Sequence, residues 1–232
     1  MAGAQEILRR ILRNTFWDSY DFLGTLIITS TLFSLLCVFV APIPLAVAGI
    51  LEVGYRVAVA REATVRHFWL GMKRLGLKSL GLVLVSLAVL LLSLLDVCFY
   101  LHMRDAFGFV GMALAALCLW ALVAFALGQM FVVPLATREG LGLKGAFKQG
   151  YLLMMAHVGV TLAAAFYLLL IALLLVFTGA GIVVLLPGVT AVFLQHVAGE
   201  VLAELAGRGD TRANERRSLR ELLPPWDHDL RP

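Results

Sequence analysis

Charged side chains are scarce in this sequence. Asp, Glu, Lys and Arg make up 15% of its 232 residues, against about 25% in an ordinary soluble domain. So few charges cannot cover a water-exposed surface, which excludes a soluble globular fold. Cysteine is rarer still. Cys37, Cys98 and Cys118 are odd in number, lie inside apolar runs and have no metal-ligand spacing. They read as small apolar residues, and no disulfide framework is expected. The chain also lacks a glycine-rich phosphate loop, a His-Glu-x-x-His helix and a nucleophile elbow. Its basic residues are not interleaved with aromatics in a soluble module, which argues against nucleic-acid binding. No catalytic residue, cofactor or metal site is expected, and the chain is read as not an enzyme.

What is present is apolar: 61% of the residues are hydrophobic, and they come in long unbroken runs. A hydrocarbon core about 30 Å thick takes about 20 apolar residues in a helix. Lipid offers no partner to an unpaired backbone group, so such runs must be helical. Six runs qualify, at residues 22–41, 45–60, 80–101, 109–136, 152–177 and 182–204. The second is the weakest, being short and carrying Glu52 and Arg56. The expected fold is an all-α polytopic membrane helix bundle of six transmembrane helices with interfacial amphipathic helices. Residues 1–21 form a cytoplasmic amphipathic segment, 22–205 the membrane domain, and 206–232 a polar cytoplasmic tail.

Positive charge is missing from one set of loops. Arg9, Arg10 and Arg13 precede the first run. Arg61, Arg66, Lys73, Arg74 and Lys78 fall between the second and third, with Arg56 at the end of the second. Arg138, Lys144 and Lys148 separate the fourth and fifth, and every remaining Arg but one follows the sixth. The exception is Arg104, alone in the other three connections. Positive loops stay cytoplasmic, which places both termini inside a bacterial inner membrane. If residues 45–60 failed to cross, either the 61–78 loop or the N-terminal arginines would fall outside. Cleavage of a leader is not expected: the first apolar run exceeds the 7–15 residues of a signal peptide, and Asp18 and Asp21 precede it.

The cytoplasmic segments have amphipathic spacing. Ile7, Leu8, Ile11, Leu12 and Phe16 share one helical face. Val65, Phe68, Trp69, Met72 and Leu75 share another, and Leu143, Phe147 and Tyr151 a third. Arg9, Arg10, Arg13, Arg66, Lys73, Arg74, Lys144 and Lys148 lie off these faces, where they would meet anionic lipid headgroups. The same cations also suffice merely to set topology.

Polar residues inside the runs are the candidate site. Glu52, Arg56, Gln129, His157, Gln195, His196 and Glu200 all fall in the cytoplasmic half; Asp96 alone lies toward the outside. Glu52 and Arg56 are one turn apart, as are His196 and Glu200. Ionisable groups within a membrane are costly, face the bundle interior and often mark function. The plainer reading is that they pair and lock the helices together. A substrate path would show polar residues through the whole depth, and the outer half offers little besides Asp96 and Ser93, which favours structural pairing. Ala124 with Gly128, Gly111 with Ala115, and Gly159 with Ala163 have the spacing of close helix contacts.

Several short motifs carry a resemblance. They are the Asn14-Thr15-Phe16-Trp17-Asp18 opening, the first run ending at Pro42, and Phe68-Trp69-Leu70-Gly71-Met72-Lys73-Arg74. Phe147-Lys148 and Leu185-Leu186-Pro187 follow later. The chain is similar here to the YesL-type family of small bacterial membrane proteins, over residues 12–205. The family has no established activity, so no functional residue is carried over. Its genes often lie beside carbohydrate ABC transporters and polysaccharide-degrading enzymes, which implies a partner rather than a reaction. Two functions are therefore expected in competition. One is an accessory or scaffold subunit of another membrane complex. The other is a transporter or substrate-binding subunit for a small solute, using the inner polar cluster.

Overall fold

The structure, a computed structural model, describes residues 2–39, 42–138, 140–179 and 181–205. The expected polar tail, 206–232, lies outside the described residues. Two compact units divide the chain, Met1–Val201 and Leu202–Pro232; the described part of the second is the end of the last helix. The fold is all-α, with no strand among the described residues. The helices are α1 (Ala2–Asp21), α2 (Leu23–Cys37), α3 (Ile43–Tyr55), α4 (Val65–His102), α5 (Arg104–Arg138), α6 (Leu143–Ala156), α7 (Val158–Phe177), α8 (Gly181–Val184) and α9 (Leu186–Leu205). A π-turn, Arg56–Ala60, prolongs α3 and ends at Arg61 in the left-handed conformation, φ 52°.

Five helical stretches are long and apolar enough to cross a membrane, and a sixth is counted if α1 and α2 are taken together across their 88° bend. The protein is a membrane-embedded, multi-pass helix bundle. Burial explains why the runs differ in composition. Of the span formed by α3 and its π-turn, 61% is buried by other helices, and of the α9 span 50%. These are also the two least apolar spans. A helix wrapped in protein need not dissolve in lipid, so it can hold Glu52, Gln195 and His196. The second part of α4, residues 80–102, is 6% buried and must be strongly apolar for the opposite reason. Its better-shielded positions include Leu82, Ser86, Val89, Ser93 and Val97, and those of α5 include Gly111, Ala115 and Cys118.

The third and fifth runs have boundaries the hydropathy did not show. The basic amphipathic segment at 65–75 is continuous with the third run in one 38-residue helix, α4. At 1.5 Å per residue that is roughly 57 Å, well beyond the hydrocarbon thickness. Its start is capped by the Thr64 N–H, which donates to His67 Nδ1 at 3.1 Å. The fifth run is broken at His157, whose φ of −128° and ψ of 46° separate α6 from α7. α6 crosses α5 through stacked Phe125, Phe147 and Tyr151, and the Tyr151 hydroxyl donates to the Phe125 carbonyl at 3.3 Å.

α3 packs antiparallel on α4, beside its basic segment rather than beside residues 80–102. Gly49 lies against Phe68, Gly71 against Ala48 and Glu52, and Gly76 against Leu45. Phe68 is fully buried in the resulting core with Val53, Val57 and Ala191. The face at 65–75 is thus spent on α3, apart from Trp69, which is exposed. α2 runs along α8 and the start of α9. Ser34 Oγ donates to the Val183 carbonyl at 3.0 Å, and the Gly188 N–H donates to Ser30 Oγ at 3.0 Å.

Candidate functional site: polar pairs between the helices

The seven candidate polar residues do not converge on one point. They are drawn into separate contacts, some between helices and some within one. His196 on α9 meets Asp18 on α1, Nε2 to Oδ2, at 2.9 Å. Both side chains are 5% exposed. Glu200, one turn on, has Oε2 3.8 Å from Arg10 Nη1 on the same helix α1. α1 and α9 are therefore pinned at two levels, antiparallel. His196 and Glu200 both reach α1, and Arg10, expected among headgroups, is an ion-pair partner.

α1 owes this docking to its sequence. Ile7, Ile11, Asn14, Thr15, Asp18 and Ser19 recur at i, i+4, i+7, i+8, i+11 and i+12, and all are buried. They form one helical face, apolar at its first two positions and polar at the other four. Phe16, on the apolar face with Ile7 and Ile11 by spacing, is 53% exposed. Asn14 Nδ2, Thr15 Oγ1 and Ser19 Oγ are buried without a hydrogen-bond partner.

Gln195 ties α9 to α5. Arg138 Nε donates to Gln195 Oε1 at 2.8 Å, and Nη2 donates to the Gln195 carbonyl at 2.7 Å. Gln195 Nε2 in turn donates to Thr137 Oγ1 at 3.0 Å. That hydroxyl donates back to the Pro134 carbonyl at 2.8 Å, the back-bond a helical threonine makes to the preceding turn. The sequence placed Arg138 only as a topological cation; its guanidinium also fits closely against Gly199.

Glu52 is buried, and its Oε1 accepts from Arg56 Nε at 3.0 Å. Arg56 is half-exposed, so the pair connects interior to surface. Glu52 Oε2 is buried with no hydrogen-bond partner. Ser86 Oγ on α4 donates to Gln129 Oε1 on α5 at 3.1 Å, and Gln129 Nε2 is buried without one. His157 serves the break between α6 and α7: its N–H donates to the Leu153 carbonyl, and its carbonyl accepts from Thr161 Oγ1 at 2.9 Å. Asp96 is exposed on the second part of α4. Of the other cations expected at headgroups, Arg9, Arg66, Lys73, Arg74, Lys144 and Lys148 are exposed and Arg13 is half-buried. Among the described residues no group of three His, Cys, Asp or Glu could hold a metal ion.

Chemically, these contacts satisfy many of the polar groups in an apolar interior. If Glu52 is structural, Glu52→Gln is expected to cost less than about 1 kcal/mol, because the amide oxygen still accepts from Arg56. Thermal unfolding in detergent checks this, with a shift of no more than about 2–4 °C expected. No family model matches the chain, and no curated protein or solved structure matches it.

Proposed function

We propose that the protein is a non-enzymatic accessory or scaffold subunit of a bacterial inner-membrane complex, with both termini cytoplasmic and its basic segments among anionic headgroups. The observation that carries this reading is the pairwise use of polar side chains. His196, Gln195, Glu52 and Gln129 each serve a contact between or within helices. Little polarity remains to line a route through the bundle. The outer parts of α4 and α5 meanwhile offer large apolar faces, with Leu92, Leu95, Leu117 and Trp120 all exposed. Such faces suit lipid or the helices of a neighbouring membrane protein. The YesL-type resemblance, taken as a proposal of membership, makes a carbohydrate ABC transporter the first partner to test.

Crosslinking in intact membranes through residues 112–123, followed by mild-detergent purification, is expected to recover a discrete membrane complex. Recovery of uncrosslinked monomer across several detergents would overturn the scaffold role.

The rival reading is a carrier of a small solute. It is favoured by Glu52 Oε2 and Gln129 Nε2, buried polar atoms without partners. Purified protein in proteoliposomes decides between the two. Solute uptake lost in Glu52→Gln, with thermal stability kept, would establish a carrier; the scaffold reading expects no uptake above empty liposomes.

A further inference from the structure

An apolar cavity of about 280 Å³ lies where α3, α4, α5 and the start of α6 meet. Ala48 and Leu51 of α3, Leu75 and Gly81 of α4, and Ala136 and Thr137 of α5 line it. The volume is that of roughly nine water molecules. Water is nevertheless a poor occupant, since a dry apolar cavity gives it too few polar partners. The one side-chain polar atom among the lining residues, Thr137 Oγ1, is already engaged: it donates to the Pro134 carbonyl and accepts from Gln195 Nε2. A polar solute would find little to bind.

Position narrows the occupant further. The cavity lies at the end of α4 and α5 where the chain carries its cations. Leu143, another lining residue, is followed by exposed Lys144, with exposed Lys148 one turn on. On the membrane placement above, this is the inner-leaflet boundary. We infer that the cavity holds part of one acyl chain of an anionic phospholipid, whose phosphate lies within reach of Lys144. Apolar lining supplies the affinity for the chain, and the lysine the preference for a negative headgroup. The inference rests on the membrane placement and its sidedness, not on the scaffold role.

Gly81 allows a clean test. A Cβ built there meets nothing within 4 Å, so a large side chain can enter the cavity without a clash at the backbone. Gly159 on α7 has the same open surroundings and is exposed, away from the cavity lining, so it serves as the control. The protein is reconstituted in nanodiscs containing phosphatidylglycerol with a diazirine near the tail end. Adducts are expected to concentrate in the peptides spanning residues 133–143. Gly81→Phe should reduce them severalfold and Gly159→Phe leave them unchanged, with both variants retaining wild-type thermal unfolding. A phosphatidylcholine probe should label the same peptides less, and Lys144→Glu should bring phosphatidylglycerol down to that level. Competition of the wild-type signal by unlabelled phosphatidylglycerol gives an answer that needs no variant. Adducts spread evenly over the outer faces of α4 and α5, or indifferent to the competitor, would overturn the cavity assignment. Equal labelling by the two headgroups would overturn the anionic preference.

Discussion

Asp18→Leu is expected to be among the most damaging single substitutions in the chain. It removes the partner of His196 from a site where both side chains are 5% exposed. An ordinary interhelical hydrogen bond in a membrane contributes about 0.6 kcal/mol. Removing one partner of a buried hydrogen-bonded pair costs about 1–3 kcal/mol, because the group left behind loses that bond without regaining water. The second figure applies here, since both side chains are 5% exposed. A loss of about 2 kcal/mol corresponds to a fall in Tm of about 4–8 °C at 2–4 °C per kcal/mol. Asp18→Asn should fall between Leu and wild type, since the amide can still hydrogen-bond to the imidazole. The double variant Asp18→Leu, His196→Leu should recover much of the loss, because replacing a whole buried pair with apolar groups is often nearly neutral. Thermal unfolding of the four proteins, wild type, two singles and the double, completes the cycle. Additive losses in the double would mean that Asp18 and His196 act independently.

Gly71→Ala is the second large effect. A methyl group at Gly71 would lie 2.5 Å from Glu52 Cβ, 2.8 Å from the Ala48 carbonyl oxygen and 3.1 Å from Gly49 Cα. Two of these neighbours are backbone atoms and the third is the Cβ of a buried residue, so no rotamer change can make room. α3 and α4 must separate, and the core around Phe68 opens with them. Overpacking of this kind costs about 1–3 kcal/mol, and Gly71→Leu is expected to prevent folding. Gly81→Ala, ten residues along the same helix, should do the reverse. It meets open space and gains up to about 1 kcal/mol of helix propensity. Detergent-solubilised yield and Tm of the two alanine variants should therefore move in opposite directions. Equal effects would mean that α3 and α4 are not in contact at Gly71.

The contrast between these glycines marks how much of the fold was legible beforehand. Long apolar runs announced the helices, because lipid forces every backbone group into an internal hydrogen bond. Glu52, Gln195 and His196 announced an interior, because they are too polar to face acyl chains. Their partners were not legible. Asp18 read only as an argument against a cleaved leader and as part of the opening motif, although Asn14, Thr15, Asp18 and Ser19 form a polar stripe in line with Ile7 and Ile11 that would have marked a docking face. Arg138 read as a topological cation, and nothing in its spacing pointed to Gln195, 57 positions away. Close approaches were hidden for a different reason. Glycine is common in membrane helices, and spacing alone did not separate Gly71, pressed against α3, from Gly159, which is exposed with open space around it. The alignment of α3 with residues 68–76 of α4 depends on that contact, so it was hidden too.

Sidedness underlies the placement of the basic segments, the lipid cavity and both termini. It is tested most directly in a variant free of Cys37, Cys98 and Cys118, with cysteine introduced singly as Arg104→Cys or Thr211→Cys. A membrane-impermeant maleimide is applied to intact cells and again after permeabilisation. Labelling of Arg104→Cys in intact cells, and of Thr211→Cys only after permeabilisation, is the expected result. Labelling of both from the same side would contradict it.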